Sequence, residues 1–258
     1  MAPKTITLWK KRGETPLQAL DRLRSELVAE RGDFYKTVPL SYAGRLDPMA
    51  EGALLVLIGE ENKKRKEYLG LDKTYEVEIV FGVETDTADT LGLVKKIEKG
   101  QLKKLQNLDK ESLKKVLANF VGTYEQVYPA FSSRPFEGKP LFQWAHEGIF
   151  PKVKKRVTIH SIELVACGGL LFEDFKKKVE EDFDLMQEVV GDFRQEKVIA
   201  GWRDFFQTSQ DLFQVVILVE CASGAYMRQL SQDVGERLGV SAIARRIVRQ
   251  KIGNLSSL

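Results

Sequence analysis

Asp47 is the side chain whose surroundings best suit chemistry, and it lies in the segment Gly44-Arg45-Leu46-Asp47-Pro48. Two glycines, small residues and the Asp-Pro step predict a tight loop over residues 44–52. The apolar run Ala53–Ile58 behind it predicts a buried strand or a short core segment. Catalytic groups are often mounted in this way, on a loop held by a rigid element. On these residues alone, an ordinary Asp-Pro turn is the simpler interpretation.

Tyr75 is a second candidate, in a segment, Lys73–Phe81, whose alternation predicts a strand. It shares one face of that strand with Val77, Ile79 and Phe81, so its ring is expected to point into the apolar interior. A buried phenol usually needs a hydrogen-bond partner for its hydroxyl. A core tyrosine with such a partner explains the pattern as well as a functional tyrosine does.

Arg228 is a third candidate, expected near the start of a helix that follows a turn at Gly224 and ends at Gly239. A cation there opposes the positive end of the helix dipole, so a carboxylate partner is expected. Asp47 is the obvious candidate, and a guanidinium beside it would favour its ionised form. A structural ion pair elsewhere in the chain is the alternative.

Composition indicates an ordinary globular protein. Its 258 residues fit one large domain or two small ones, and a net charge of +3 excludes a grossly basic binder. Cys167 and Cys221 form no disulfide framework, and His146 and His160 are too few for a His-rich metal site. No apolar stretch is long enough to span a bilayer, and the N-terminus lacks a signal-peptide core. We therefore expect a cytoplasmic protein that uses neither a metal nor a membrane.

Several spaced segments resemble the signatures of the TruB family of tRNA pseudouridine synthases. In chain order they are Lys10–Thr15, Gly44–Leu55, Lys73–Tyr75, Gly82–Gly92, Gln126–Arg134, Gly138–Gly148, Cys221–Leu230 and Arg245–Gly253. Their order along almost the whole chain makes the resemblance specific. The chain departs from the family where Lys11 replaces a proline and Tyr42 replaces a histidine. The second departure affects the expected contact with a flipped-out RNA loop.

The resemblance implies a cofactor-independent isomerase that converts uridine to pseudouridine at position 55, in the T-loop of tRNA. Asp47 would be the nucleophile, Tyr75 would lie against the target uracil, and Arg228 would complete the catalytic set. The residues expected to contact RNA are Lys10, Tyr42, Arg45, Asp89, Tyr226 and Arg249. The partner would be the T-arm of tRNA, and the protein is expected to act as a monomer.

The resemblance also implies an α+β fold, the pseudouridine synthase fold, with a long, mostly antiparallel mixed sheet flanked by helices. Residues 1–258 would form a single catalytic domain, without the C-terminal PUA domain that many family members carry. Residues 168–212 match the family least, so they are interpreted as an insertion. Their apolar residues fall at helical spacing, which predicts an amphipathic helix that packs on the domain for stability and not for catalysis. A final basic helix is expected to carry Arg245–Arg249.

Two other functions fit parts of the sequence. A non-catalytic RNA-binding or RNA-folding protein could keep this scaffold, although the presence of Asp47, Tyr75 and Arg228 together argues against it. A sugar-cleaving hydrolase could use Asp47, but the sequence offers no second well-placed carboxylate for it. Incubation with an unmodified tRNA transcript, followed by mapping of pseudouridine, separates the three.

Overall fold

One long mixed sheet organises the protein. A computed structural model describes residues 3–95, 103, 105, 108–208 and 212–256. The strands are β1 (Thr5–Lys10), β2 (Leu40–Ala43), β3 (Ala50–Ile58), β4 (Lys73–Phe81), β5 (Gly122–Val127), β6 (Pro135–Phe136), β7 (Lys139–Pro140), β8 (Lys154–Leu170), β9 (Leu212–Cys221), β10 (Ala242–Ile252) and β11 (Leu255–Ser256). The helices are α1 (Pro16–Arg31), α2 (Phe34–Thr37), α3 (Arg65–Leu69), α4 (Lys110–Ala118), α5 (Leu141–His146), α6 (Phe172–Glu180), α7 (Phe183–Glu188), α8 (Gln195–Phe205) and α9 (Met227–Leu238).

The strand order confirms the expected fold class. Among the described residues the main sheet has nine strands, in the order β1-β3-β10-β4-β9-β8-β5, with β2 beside β3 and β11 beside β10. In this sheet β3 and β10 pair in parallel, and every other described pair is antiparallel. The helices lie against this sheet, so the architecture is α+β with a mostly antiparallel mixed sheet.

Strand β3 is the rigid element behind Asp47. The apolar run predicted from the sequence is buried, and the strand begins three residues earlier than that run, at Ala50. It pairs with β1, β2 and β10, so it is held by neighbours along its whole length. A Cβ atom on Gly52 would lie 2.2 Å from the carbonyl oxygen of Arg249, so only glycine allows β3 and β10 to approach so closely there.

Strand β4 confirms the alternation read from the sequence. Tyr75, Val77, Ile79 and Phe81 all belong to one buried cluster, which α4 and α9 help to cover. Helix α1 packs on β1 and β3, and Thr15 caps it through a capping box with Gln18. The sequence places Leu17 on one apolar stripe of α1 with Leu20, Leu23 and Leu27, but Leu17 is 59% exposed and does not join that stripe.

The insertion expected within 168–212 comprises the end of β8, the start of β9 and three helices between them, α6, α7 and α8. Residues 209–211 lie outside the described residues. Because β8 and β9 pair antiparallel, the three helices replace what would otherwise be a hairpin turn. The predicted packing on the domain is observed: the fully buried Phe175, Val179 and Trp202 lie in one cluster with Val80 of the sheet.

The expectation of one amphipathic helix in this insertion was wrong. The helix breaks first near Asp182, whose carboxylate turns away to accept two hydrogen bonds from Arg12 at 2.7 and 2.6 Å. It breaks again between α7 and α8, where Gly191 has φ 122° and Arg194 has φ 59°. The helical spacing of the sequence also places Val190 on the apolar stripe of this segment, but Val190 is 64% exposed.

The expected final basic helix is also a correction, because Arg245–Arg249 lie on strand β10. This strand is bordered on both sides, by β3 and by β4, and most of its side chains are buried. Its arginines therefore alternate across a sheet and do not cluster on one solvent-exposed helix face. The carboxylate of Glu78 accepts hydrogen bonds from Arg245 inside the protein.

Candidate active site

Asp47 and Arg228 meet as the sequence suggested. The Nε atom of Arg228 donates to Oδ2 of Asp47 at 2.7 Å, and Nη2 of Arg228 donates to Oδ1 at 3.2 Å. The two residues are far apart in the chain, so the contact joins the loop before β3 to the first turn of α9. A planar guanidinium that meets both carboxylate oxygens fixes the orientation of the carboxylate as well as its charge.

Backbone carbonyls hold Arg228 from the other side. Its Nη1 donates to the carbonyl oxygen of Thr87 at 2.7 Å, and its Nη2 also donates to that of Phe131 at 3.2 Å. The side chain of Arg228 is 4% exposed, whereas that of Asp47 is 32% exposed. The arginine is therefore a buried support, and the aspartate is the member of the pair that a ligand can reach.

A second carboxylate, Asp89, lies behind the pair. Its Oδ2 is 3.7 Å from Nε of Arg228, and its Oδ1 accepts hydrogen bonds from the Thr87 hydroxyl and the Leu91 amide. Burial raises the pKa of Asp89, and Arg228 acts against that rise. Burial alone would lower the pKa of Arg228, but Asp47 and Asp89 outweigh it and the pKa is raised. Arg228 thus stays charged beside its two acidic partners.

Lys10 and Arg249 were expected to contact RNA. Both are buried instead, with 0% and 1% of their surface exposed. The Nζ atom of Lys10 donates to the carbonyl oxygens of Lys11, Glu14 and Pro48 at 2.6 to 3.0 Å. Arg249 donates to three other backbone carbonyls of the same region, those of Gly44, Arg45 and Ala53. Both cations therefore hold the loop that carries Asp47, and neither presents its charge to solvent.

Tyr75 lies in the sheet next to Arg249, with which it is paired across β4 and β10. The residue is 9% exposed. Burial raises the pKa of Tyr75, and Arg249 acts in the opposite direction. Its phenol is therefore neutral near pH 7, which makes it a poor proton acceptor there. In this structure its ring packs in a buried cluster with Val77 and Ile79.

A cleft of about 690 Å³ lies over Asp47. Its lining includes Arg228, Asp89, Tyr42 and Arg45 among the residues expected in the site, while Lys10, Tyr75, Tyr226 and Arg249 are not part of it. The rest of the lining is Thr15, Pro16, Leu17, Leu46, Asp47, Pro48, Thr87, Leu91, Phe131, Ser132, Ser133, Phe142, His146 and residues 190–194. The volume is in the range of clefts that hold a nucleotide-sized ligand.

The rim of the cleft carries the two expected RNA contacts that are open to solvent. Arg45 is exposed and donates a hydrogen bond to the hydroxyl of Ser133. Tyr42 is half-buried, and the exposed guanidinium of Arg65 lies 6.0 Å from its ring centre. Tyr226 is set back from the rim, where its ring meets Tyr128 edge to face. The ring of Tyr42 can stack on a base, while the guanidinium of Arg65 can approach a neighbouring phosphate.

Two parts of the site could not be read from the sequence. The carbonyl groups of Thr87 and Phe131 hold Arg228, and a backbone acceptor leaves no trace in residue types. The second is the segment 190–194 of the insertion, which reaches the cleft although the insertion was expected to be purely structural. Gly191, a residue that disfavours a helix interior, is the feature of the sequence that could have signalled an interruption there.

Of the described residues, no group of three or more His, Cys, Asp or Glu side chains is arranged to hold a metal ion. Within the same part of the chain, each helix is too short or too polar to cross a bilayer. The two cysteines, Cys167 and Cys221, are unpaired.

Solved structures share the fold. A crystal structure of a Cbf5-Nop10-Gar1 complex aligns with 98% of this chain at a TM-score of 0.57 and 15% sequence identity. An H/ACA RNP bound to a substrate RNA containing 2′-deoxyuridine aligns with 98% of this chain at a TM-score of 0.53 and 14% identity. This chain spans about half of those chains, 49% and 48% respectively. The chain therefore shares its fold with the aligned chains of these two structures.

Sequence relatives narrow the class. The family model described as TruB family pseudouridylate synthase, N-terminal domain, matches residues 33–183. The tRNA pseudouridine synthase B of Aquifex aeolicus is 28% identical over 96% of this chain and 67% of its own length. That of Bordetella pertussis is 30% identical over 83% of this chain and 70% of its own length. The chain belongs to the TruB family.

Proposed function

We propose that this protein converts uridine to pseudouridine at position 55, in the T-loop of tRNA. The observation that carries the proposal is the Asp47 carboxylate, which faces the cleft while Arg228 binds both its oxygens. The tRNA pseudouridine synthase B relatives from Aquifex and Bordetella support tRNA as the substrate. Family membership supports the reaction and its target.

The reaction needs few groups from the protein. The bond between N1 of uracil and C1′ of ribose breaks, the base turns, and a bond forms between C5 and C1′. The proton on C5 leaves and N1 gains one, so no electron is gained or lost and no redox cofactor is required. A positioned carboxylate assists such glycosidic cleavage by covalent catalysis, and Asp47 takes this role.

The surrounding residues orient the carboxylate and the base. Arg228 keeps Asp47 aimed into the cleft, and its own position depends on the Thr87 and Phe131 carbonyls. The family role of Tyr75 against the uracil stays a prediction, because the residue is 9% exposed and lies outside the cleft lining. The uridine must leave its stack to reach the cleft, and Tyr42 with Arg65 is suited to hold a neighbouring nucleotide. The protein is taken to act as a monomer in the cytoplasm, where unpaired cysteines are the norm.

The test uses the full chain and an unmodified tRNA transcript. We expect pseudouridine at position 55 with the native protein, none with Asp47→Asn, and native activity with Asp174→Asn, an exposed aspartate on α6 that serves as the matched control. RNA binding by Asp47→Asn should remain, because the substitution is isosteric. Binding of tRNA without modification by the native protein would favour the RNA-folding alternative, and release of free uracil would favour a hydrolase.

A further inference from the structure

The insertion contributes to the cleft as well as to the core. Residues 190–194 line the cavity above Asp47, between α7 and α8. The rest of the insertion is anchored by the Arg12–Asp182 pair and by the hydrogen bond from the indole of Trp202 to the carbonyl of Thr90 at 2.8 Å. These anchors fix the insertion against two loops that surround the catalytic aspartate, so its cleft edge is held in place.

Arg194 connects this edge of the insertion to the neighbouring loops. Its Nη1 and Nη2 atoms donate to the two carboxylate oxygens of Asp86 at 2.6 and 3.2 Å. Its guanidinium carbon also lies 4.3 Å from the ring centre of Phe131. Arg194 therefore binds two separate segments at once, the loop at 85–89 and the loop at 131–133.

The same two segments hold Arg228. The carbonyl of Thr87, next to Asp86, accepts from Nη1 of Arg228, and the carbonyl of Phe131 accepts from Nη2. Of the two residues that Arg194 contacts, Phe131 is itself an acceptor of Arg228, and Asp86 directly precedes the other acceptor, Thr87. A shift of either loop would move an acceptor of Arg228 and, with it, the carboxylate of Asp47.

The backbone of Arg194 shows that its side chain is directed by the surrounding structure. The residue adopts a left-handed conformation, with φ 59° and ψ 33°, directly before α8. Residues other than glycine rarely adopt this conformation, and it persists where surrounding contacts enforce it. The side chain of Arg194 is 18% exposed, and two of its nitrogens are bound to Asp86.

We propose that Arg194 is a positioning residue of the pseudouridine synthase site, which keeps Arg228 and hence Asp47 aligned by clamping the loops that carry Asp86 and Phe131. The inference rests on the proposed function. In this view the insertion supplies a brace to the catalytic pair, and the brace acts on the chemical step through Arg228 and Asp47.

The test compares Arg194→Ala and Arg194→Lys in the full chain with Arg203→Ala, an exposed arginine on α8 whose guanidinium carbon lies 5.7 Å from the ring centre of Phe183. The measured quantities are the single-turnover rate at saturating tRNA transcript and the Kd for the same RNA. We expect Arg194→Ala to lower the rate at least about tenfold with little change in Kd, since small misplacements of catalytic groups are costly. Arg194→Lys should retain an intermediate rate, because it keeps the charge but loses the planar fork, and Arg203→Ala should match the native protein.

A second variant tests the route of the effect. Asp86→Asn keeps an oxygen for the Leu93 amide, which donates to Oδ1 of Asp86 at 2.8 Å, but weakens the ion pair with Arg194. If Arg194 acts through Asp86, adding Asp86→Asn to Arg194→Ala should lower the rate little further. All rates are taken at a temperature where circular dichroism shows each variant folded, so that a loss of stability alone leaves the rate unchanged.

Three results would overturn the inference. A native rate in Arg194→Ala would show that the brace is not needed. A raised Kd with an unchanged rate would make Arg194 an RNA contact. A lower melting temperature with a native rate would make it purely structural. Absence of pseudouridine formation by the native protein would instead contradict the proposed function, so the two failures are distinguishable.

Discussion

The ammonium group of Lys10 lies 3.0 Å from the carbonyl oxygen of Pro48, the residue that directly follows Asp47. Two further carbonyls, those of Lys11 and Glu14, accept from the same nitrogen. Burial lowers the pKa of Lys10 to about 7, although Glu14, Asp47 and Glu51 act in the opposite direction. Lys10 therefore links the turn after β1 to the loop that carries Asp47. The free-energy cost of burying its ammonium group depends on pH.

The first prediction concerns this pH dependence. Because the pKa of Lys10 falls from its ordinary 10.5 to about 7 on folding, the unfolded chain binds more protons between those pH values. The contribution of Lys10 to the free energy of unfolding should therefore rise with pH in that interval. We expect the stability difference between the native protein and Lys10→Met, from urea unfolding, to be larger at pH 9 than at pH 6.5. Lys63→Met, at an exposed position, should show no such trend.

The second prediction concerns Arg228→Lys. A lysine keeps the positive charge but cannot hold both oxygens of Asp47 and the two carbonyls together. We expect the rate of pseudouridine formation to fall at least about 100-fold at a temperature where the variant is folded. Stability should fall by only a few kcal/mol, roughly the cost of leaving a buried acceptor unpaired. Arg237→Lys, in the last turn of the same helix, is the matched control. A loss of activity that only follows the loss of stability, with a native rate in the folded variant, would show that Arg228 has a purely structural role.

The third prediction concerns the core of the insertion. Phe175 is fully buried and meets Trp202 and Phe206 edge to face, at ring-centre distances of 5.8 and 6.4 Å. Replacing it with alanine should cost about 3–5 kcal/mol of unfolding free energy, because the space is closed on all sides. Leu171→Ala, one turn earlier and 72% exposed, should cost under about 0.5 kcal/mol. Calorimetry that finds both variants equally stable would mean that the insertion is not part of the cooperative core.

Much of the site could be predicted because it depends on side chains, whose types are visible in the sequence. The pairing of Asp47 with Arg228 followed from a cation placed at a helix start, and the burial of Tyr75 followed from the period of β4. The settings of Lys10 and Arg249 could not be predicted in the same way. Their partners are backbone carbonyls, and a basic residue in a sequence gives no sign of whether it faces a phosphate or a loop.

The insertion shows a second limit of sequence reasoning. Its apolar spacing predicted its packing, and Phe175 and Trp202 are indeed buried. The same spacing predicted one continuous helix. The helix is interrupted near Asp182, which pairs with Arg12, a residue far away in the chain. Arg194 lies at the second interruption, between α7 and α8, where Gly191 has φ 122°. Helical periodicity records which residues are buried, but not where a long-range ion pair interrupts the helix.

The last prediction concerns the size of the substrate. The groups placed to meet RNA are the cleft over Asp47, the ring of Tyr42, and the exposed cations Arg45 and Arg65 at its rim. All of these lie around one cavity, so recognition should be concentrated near the target uridine. We expect an isolated T-arm stem-loop to be modified with a kcat/KM within about tenfold of that for whole tRNA, and both affinities to weaken as salt rises. Arg65→Ala should weaken both RNAs by the same factor and reduce the salt slope, while Lys176→Ala, on α6, should change neither. Side-by-side kinetics decide the matter: modification of whole tRNA alone would mean that a surface away from this cleft reads the rest of the molecule.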